Sequence, residues 1–201
     1  VNVVTRDGGS KFEGSVSIGG SSYYTDNTDI FVGLDPSINK SQDIKFSLGG
    51  PILGNKVTFF SNVRVQSNNG HLNGFRLFEV DNFSNFYTDD STLWFSEKTG
   101  DSSYVSMNSS NNLSALFKLS FNLFNGIRFS TLYSHSDDSW QGYDHSFKYN
   151  PDGRSTDHKV TNYCAFQLNQ MFSQKLFYEL KYSVVDNDFG SYVYENPLDS
   201  R

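Results

Sequence analysis

Residues 43–66, DIKFSLGGPILGNKVTFFSNVRVQ, hold two alternating runs folded back on a tight turn. In the first run Ile44, Phe46 and Leu48 fall on one face, against Asp43, Lys45 and Ser47 on the other. In the second, Val57, Phe59, Val63 and Val65 oppose Thr58, Asn62, Arg64 and Gln66, with Phe60 out of pattern. A period of two is the signature of strands with one apolar face, and the Gly-Gly-Pro…Gly-Asn punctuation closes a hairpin.

Five further segments read the same way. Residues 11–19 place Phe12, Val16 and Ile18 against Lys11, Glu13, Ser15 and Ser17. Residues 112–122 place Leu113, Ala115, Phe117, Leu119 and Phe121 against Ser114, Lys118 and Ser120. Residues 127–135 carry Ile127, Phe129 and Tyr133 opposite Arg128, Ser130 and Ser134. Residues 175–184 set Leu176, Tyr178, Leu180, Tyr182 and Val184 against Glu179, Lys181 and Ser183. Residues 160–170 are ambiguous: Tyr163 and Ala165 claim one face, Cys164, Phe166 and Leu168 the other.

A soluble sandwich shows the same alternation. Strand and connection lengths separate the readings. Several segments reach ten or eleven residues, beyond the usual globular strand and close to the roughly 9–11 of a tilted membrane strand. Tight turns (PILGN, LFNG, MFSQ) alternate with long polar connections at 20–41, 68–110 and 136–158. In a meander that puts every short turn at one end and every long loop at the other, as in outer-membrane barrels.

Composition agrees. Hydrophobic residues are 36% but aromatics 16%, too many for a disordered chain. A net charge of −6 excludes a phosphate-neutralising surface, so no nucleic-acid partner is expected. Cys164 is the single cysteine and rules out an internal disulfide. No 18-residue apolar run is present, which does not speak against a β-barrel.

On these residues the chain resembles TonB-dependent outer-membrane receptors. VNVVTRDGGSKFEGSV (1–16) is similar to the junction between the plug and the first barrel strand of that family, and residues 43–65 resemble the hairpin that follows. YDHSFKYNPDG and YENPLD resemble its loops. The resemblance implies an all-β antiparallel meander, part of a transmembrane barrel of about 22 strands. Residues 1–9 would be the end of the plug and its junction, with Asp7, Gly8 and Gly9 leading out of it; residues 10–201 would be the N-terminal part of the barrel. It implies a fragment of a nutrient-uptake receptor in the outer membrane of a Gram-negative bacterium. Its partners would be membrane lipid, a small-molecule or oligomeric nutrient, and the inner-membrane TonB complex through a plug region absent here. Two other readings stay open: a smaller, non-transporting outer-membrane barrel or adhesin, and a soluble β-sandwich carbohydrate-binding module.

No catalytic motif is present and no enzyme activity or cofactor is expected. His71, His135, His145 and His158 lack metal-ligand spacing. The oxygen-rich stretches 25–29 and 150–157 depart from EF-hand spacing, and turn chemistry accounts for the second. Sequons at Asn39, Asn82, Asn108 and Asn112 are expected by chance in an Asn/Ser-rich chain. The loops do carry aromatics, among them Phe75, Phe78, Phe83 and Phe86. Of these, Trp94, Trp140, Tyr143 and Tyr149 are the candidate ligand contacts, set against the alternative that loop aromatics pack the loops together. Charges on the polar faces (Glu13, Lys45, Arg64, Lys118, Arg128, Glu179, Lys181) are expected to look into a lumen.

Overall fold

Alternating runs become strands because only an extended chain sends successive side chains to opposite faces. In the computed structural model, which describes residues 6–34, 40–124, 126–173, 175–196 and 198, the chain is all-β. The strands are β1 (Glu13–Ser21), β2 (Ser41–Leu53), β3 (Val57–Asn68), β4 (Asn73–Phe75), β5 (Ser84–Asn85), β6 (Phe95–Ser96), β7 (Tyr104–Ser106), β8 (Ser110–Phe124), β9 (Ile127–Trp140), β10 (Thr156–Ser173) and β11 (Leu176–Tyr192). Seven of them make one antiparallel meander, ordered β1-β2-β3-β8-β9-β10-β11. The pairs β4–β7 and β5–β6 are small ribbons inside the connection between β3 and β8. Val1–Thr5, the expected plug strand, lie outside the described residues, as do Asn39, Asn125, Gln174 and most of the terminal NPLDSR.

The register joins the apolar runs into one surface. A single row crosses the sheet as Gly14, Leu48, Ser61, Phe117, Tyr133, Cys164 and Val184, each directly opposite the next. The same pairing resolves β10: Cys164, Phe166 and Leu168 share the apolar face with Tyr182 and Leu180, while Tyr163 and Ala165 lie on the polar one. On β3 and β8 the apolar run reaches Val65 and Leu113. On β9–β11 the positions in register with Ala115 are already polar, being His135, Asn162 and Asp186. The band therefore steps toward the short turns by about four residues across the sheet.

Burial is inverted relative to a soluble domain. Phe46, Phe117 and Phe166 on the aligned apolar face are each 43% exposed, whereas Ser120, Thr58, Ser130 and Lys118 on the opposite face are buried. Among the described residues, the largest fully buried side chains are Met107, Pro151 and Ser120. Phe60, out of pattern in the sequence, sits on the polar face opposite Gly49 and under the Arg6 guanidinium, 5.9 Å from the ring centroid.

The strands outrun the alternation that announced them. β9 continues to Trp140 and β10 begins at Thr156, so the third long connection shrinks to residues 141–155. Where the faces are no longer chemically different (HSDDSW), the backbone ladder continues but the period-two signal stops. The short connections match expectation. At the β8–β9 turn Gly126 has φ +84°, and its carbonyl accepts from Met171 N at 2.7 Å, tying that turn to the β10 end.

Candidate functional site

At the short-turn end, the segment before β1 crosses the polar face. Asp7 accepts from Ser120 Oγ at 2.8 Å and pairs with Lys118 Nζ at 2.9 Å and with Arg128. Burial pushes the Asp7 carboxyl up, but the Lys118 and Ser120 hydrogen bonds and the Arg128 charge outweigh it and hold the group below its ordinary value. Gly8 lies against β3 so closely that a Cβ there would fall 2.1 Å from the Phe59 carbonyl oxygen. The chain then turns to the apolar face, where Phe12 meets Phe59 with centroids 6.3 Å apart. Asp7 and Gly8 of the sequence-derived junction are thus fixed to the sheet; at Gly9 an added Cβ would meet nothing closer than the Lys11 backbone at 3.7 Å.

At the other end the three long connections interlock. His71 lies between Tyr23 and Phe31, 5.1 and 5.8 Å away, and Asn73 Nδ2 donates to Val32 O at 3.0 Å, so the first connection packs on the second. The second and third are stitched by backbone bonds: Phe75 N donates to Lys148 O at 2.7 Å, and Leu77 N and Phe78 N share Tyr149 O at 3.0 Å. Arg76 crosslinks them with a fork on Asp152 (2.6 and 3.3 Å), adding Asp101 at 3.1 Å and Ser103 at 3.0 Å. That bidentate geometry raises the Arg76 pKa above its already high ordinary value, with Asp152 the main cause. Asp101 is lowered chiefly by the Ser103 hydroxyl and amide, and Asp144 by those of Ser146.

Between these connections and the loop ends of β10 and β11 lies an open cavity of about 810 Å³. Its wall includes Glu79, Asp81, Gln141, Asp152, Arg154 and Tyr194. Arg154 reaches Asp144 at 3.3 Å, while its Nε is buried with no acceptor among the described residues. The volume falls within the range of small-molecule sites, and its lining mixes convergent polar groups with Val80, Val105 and Pro151.

The four aromatic candidates do not converge. Trp94 is the last loop residue before β6 in the β5–β6 hairpin, edge-on to Phe86 at 6.0 Å, with Nε1 donating to Thr88 O at 2.9 Å. Trp140 ends β9 on the polar face beside Phe189, 6.2 Å away. Tyr143 bonds His145 Nδ1 at 2.7 Å, and the Tyr149 ring lies under Lys148 Nζ at 4.8 Å. None of the four lines the cavity. Phe75 with Tyr104 and Phe83 with Phe95 pack ring on ring, which is loop-internal packing.

Glu79, Asp81, Gln141 and Arg154 were not legible as a site in the sequence, because they come from distant segments with no shared spacing. The one available signal was a single Arg in each of the second and third long connections (Arg76 and Arg154) amid more numerous carboxylates. Of residues 150–157, Asn150–Gly153 form a turn, with Asn150 Oδ1 accepting from Gly153 N at 3.1 Å, Asp152 pairs with Arg76, and Thr156 and Asp157 already belong to β10. Among the described residues, no group of three or more metal-ligating side chains forms.

Comparison with family models, with curated proteins and with solved structures returned no match.

Proposed function

We propose that the chain is part of the wall of an outer-membrane β-barrel receptor of the TonB-dependent kind, with its long connections facing the cell exterior and capturing a nutrient. The observation that carries this reading is the inverted sheet: an aligned, uncovered apolar face backed by buried serines, a threonine and a lysine. Water penalises that arrangement, while lipid on one side and a polar lumen on the other favour it. Its height fits. From Leu113 to Phe121 the apolar run on β8 covers eight residue rises, roughly 26 Å along the strand. At the usual tilt that is about 20 Å of membrane normal, close to the apolar band of roughly 25 Å typical of such barrels.

The receptor reading rests further on the segment at Asp7. A chain entering across the polar face and held by Lys118, Ser120 and Arg128 has the course of a link from a plug to its wall. In this reading the plug, the barrel of about 22 strands and the energy-transducing inner-membrane partner belong to the rest of the receptor.

The single cysteine supplies the test. Cys164 lies on the apolar face at the loop-side end of the band, so Cys164→Ser combined with Leu168→Cys moves the single thiol four residues deeper on the same face. A nitroxide attached there, with the protein in phospholipid vesicles, should collide readily with oxygen and poorly with a water-soluble nickel chelate. Ready collision with the nickel chelate would overturn membrane embedding and favour a soluble sheet.

A further inference from the structure

We propose that the short turns seat against anionic phospholipid, Lys56 and Lys175 taking the headgroup phosphate and the apolar side chains beside them the upper acyl chain; this rests on the membrane part of the reading above and names the lipid chemistry at that end of the sheet. The two turns are built alike. In the β2–β3 turn Lys56 N donates to Leu53 O at 3.0 Å, and in the β10–β11 turn Lys175 N donates to Ser173 Oγ at 3.3 Å. Both lysines are exposed, and neither enters an ion pair among the described residues. Ile52 and Leu53 flank the first and Phe172 and Leu176 the second, each 60–64% exposed. Water penalises such a tip. Here it continues the apolar face, since Leu53 is in register with Val57 and Leu176 ends the apolar run of β11.

The depth agrees. Ser61 is the middle of the β3 run from Val57 to Val65, and Leu180 the middle of the β11 run from Leu176 to Val184. Lys56 and Lys175 each lie five residues turnward of that middle, which is roughly 17 Å along the strand. At the usual tilt of a barrel strand this is about 13 Å of membrane normal, and half the height of the apolar band is about 12–13 Å. Each ammonium, on its four-carbon stem, then reaches the phosphate layer while the stem stays against the band.

Charge selects the headgroup. The three short turns, 51–57, 122–128 and 171–177, contain no carboxylate. Their one other cation, Arg128, is taken by Asp7 on the polar face. A zwitterionic lipid brings a cation with each phosphate and finds no carboxylate at the turns to receive it, whereas an anionic lipid brings the phosphate alone. Free phosphate would match the lysines and leave the apolar side chains in water. The long connections (22–34, 69–109 and 141–155) are the reverse, with ten carboxylates against four lysines and arginines, so the basic rim belongs to one end of the sheet.

The test uses the full receptor in vesicles, with Cys164→Ser and a bimane fluorophore on Asn55→Cys, next to Lys56. Nitroxides quench bimane at short range, so the signal reports the lipid at that turn. The quenchers are nitroxide-labelled phosphatidylglycerol, nitroxide-labelled phosphatidylcholine and a water-soluble nitroxide phosphate ester. Phosphatidylglycerol should quench in preference to phosphatidylcholine, and Lys56→Gln should cut that preference roughly fivefold. Lys175→Gln, at the other turn, and Lys98→Gln, in the second long connection, should each change it less than about twofold. With the bimane on Gln174→Cys instead, Lys175→Gln should carry the loss and Lys56→Gln should not. A preference that survives loss of the lysine beside the label, or an equal loss in all three variants, would overturn the proposal, as would a lysine-dependent preference for the soluble ester. Quenching by both lipids without preference sinks the headgroup class alone. Shielding from both lipids with ready quenching by the soluble ester sinks the membrane reading instead.

Discussion

Placing one arginine on each side of β3 separates a membrane wall from a soluble sheet. Ser61 lies midway along the apolar run of β3, four residues from both Val57 and Val65, in register with Leu48 and Phe117. That is about 13 Å of strand to either edge of the band. Because serine buries no large apolar surface, Ser61→Arg tests charge insertion almost alone. An arginine at the bilayer midplane of a barrel destabilises by about 2–4 kcal/mol, falling to about 0–1 near the interfaces. Val63 is only two residues from the loop-side edge, so Val63→Arg should fall between these limits. Asn62, opposite Ser47 and Leu116 on the polar face, should tolerate arginine within about 1 kcal/mol. Equilibrium unfolding in guanidinium from phospholipid vesicles measures all three as shifts in midpoint at constant slope. The reasoning fails if Asn62→Arg destabilises more than Ser61→Arg, or if the two are equal.

Two other expectations concern the ends of the sheet. Because Asp7 is held below its ordinary value in the folded protein, its contribution is fully present above the unfolded value near 4 and is lost as pH falls through the lower folded value. The Gly8 amide NMR resonance should therefore titrate with a midpoint below 3.8 and should lose that transition in Asp7→Asn; a midpoint at or above 3.8 would contradict the ion-pair geometry. At the loop end, Arg76→Gln removes the fork on Asp152 together with the bonds to Asp101 and Ser103. Trypsin cutting at Lys148 and Arg154 should then rise several-fold with the guanidinium midpoint of the sheet unchanged, since connections open locally without global unfolding. Unchanged cutting would mean that the backbone bonds alone hold the second and third connections.

The sheet was legible because its chemistry repeats. Every long strand keeps its alternation wherever its two faces meet different surroundings, and the register from β1 to β11 follows from aligning those runs. Legibility ended where both faces become polar, so the loop-side extensions of β9 and β10 were read as connection and that of β11 past Val184 carried no strand signal. The face of β10 was ambiguous because Tyr163 and Phe166 are both aromatic and adjacent runs of one strand carry no register. Only its pairing with Tyr133 and Val184 decides it. The site was far less legible. Aromatic residues in the loops were conspicuous as a type, but Trp94, Phe83 and Phe86 serve a hairpin of their own. The charged residues that line the cavity are ordinary loop residues until Arg76 and the backbone of 148–149 bring them together.

The membrane reading also constrains what the seven strands can be. β1 and β11 each pair with a single neighbour among the described residues, so each presents a row of backbone N–H and C=O groups along its outer side. In water such an edge is tolerable, and lysines or short strands often protect it. In the hydrocarbon each unpaired group costs several kcal/mol, and β11 alone spans seventeen residues. A lipid-exposed edge of that length exceeds the whole stability of a typical domain. An apolar face suited to lipid and two open edges unsuited to it are therefore compatible only if further strands pair with both β1 and β11. Hydrogen exchange gives the check: in vesicles the outward-facing amides of β11 should be protected as strongly as those of β9, which is paired on both sides.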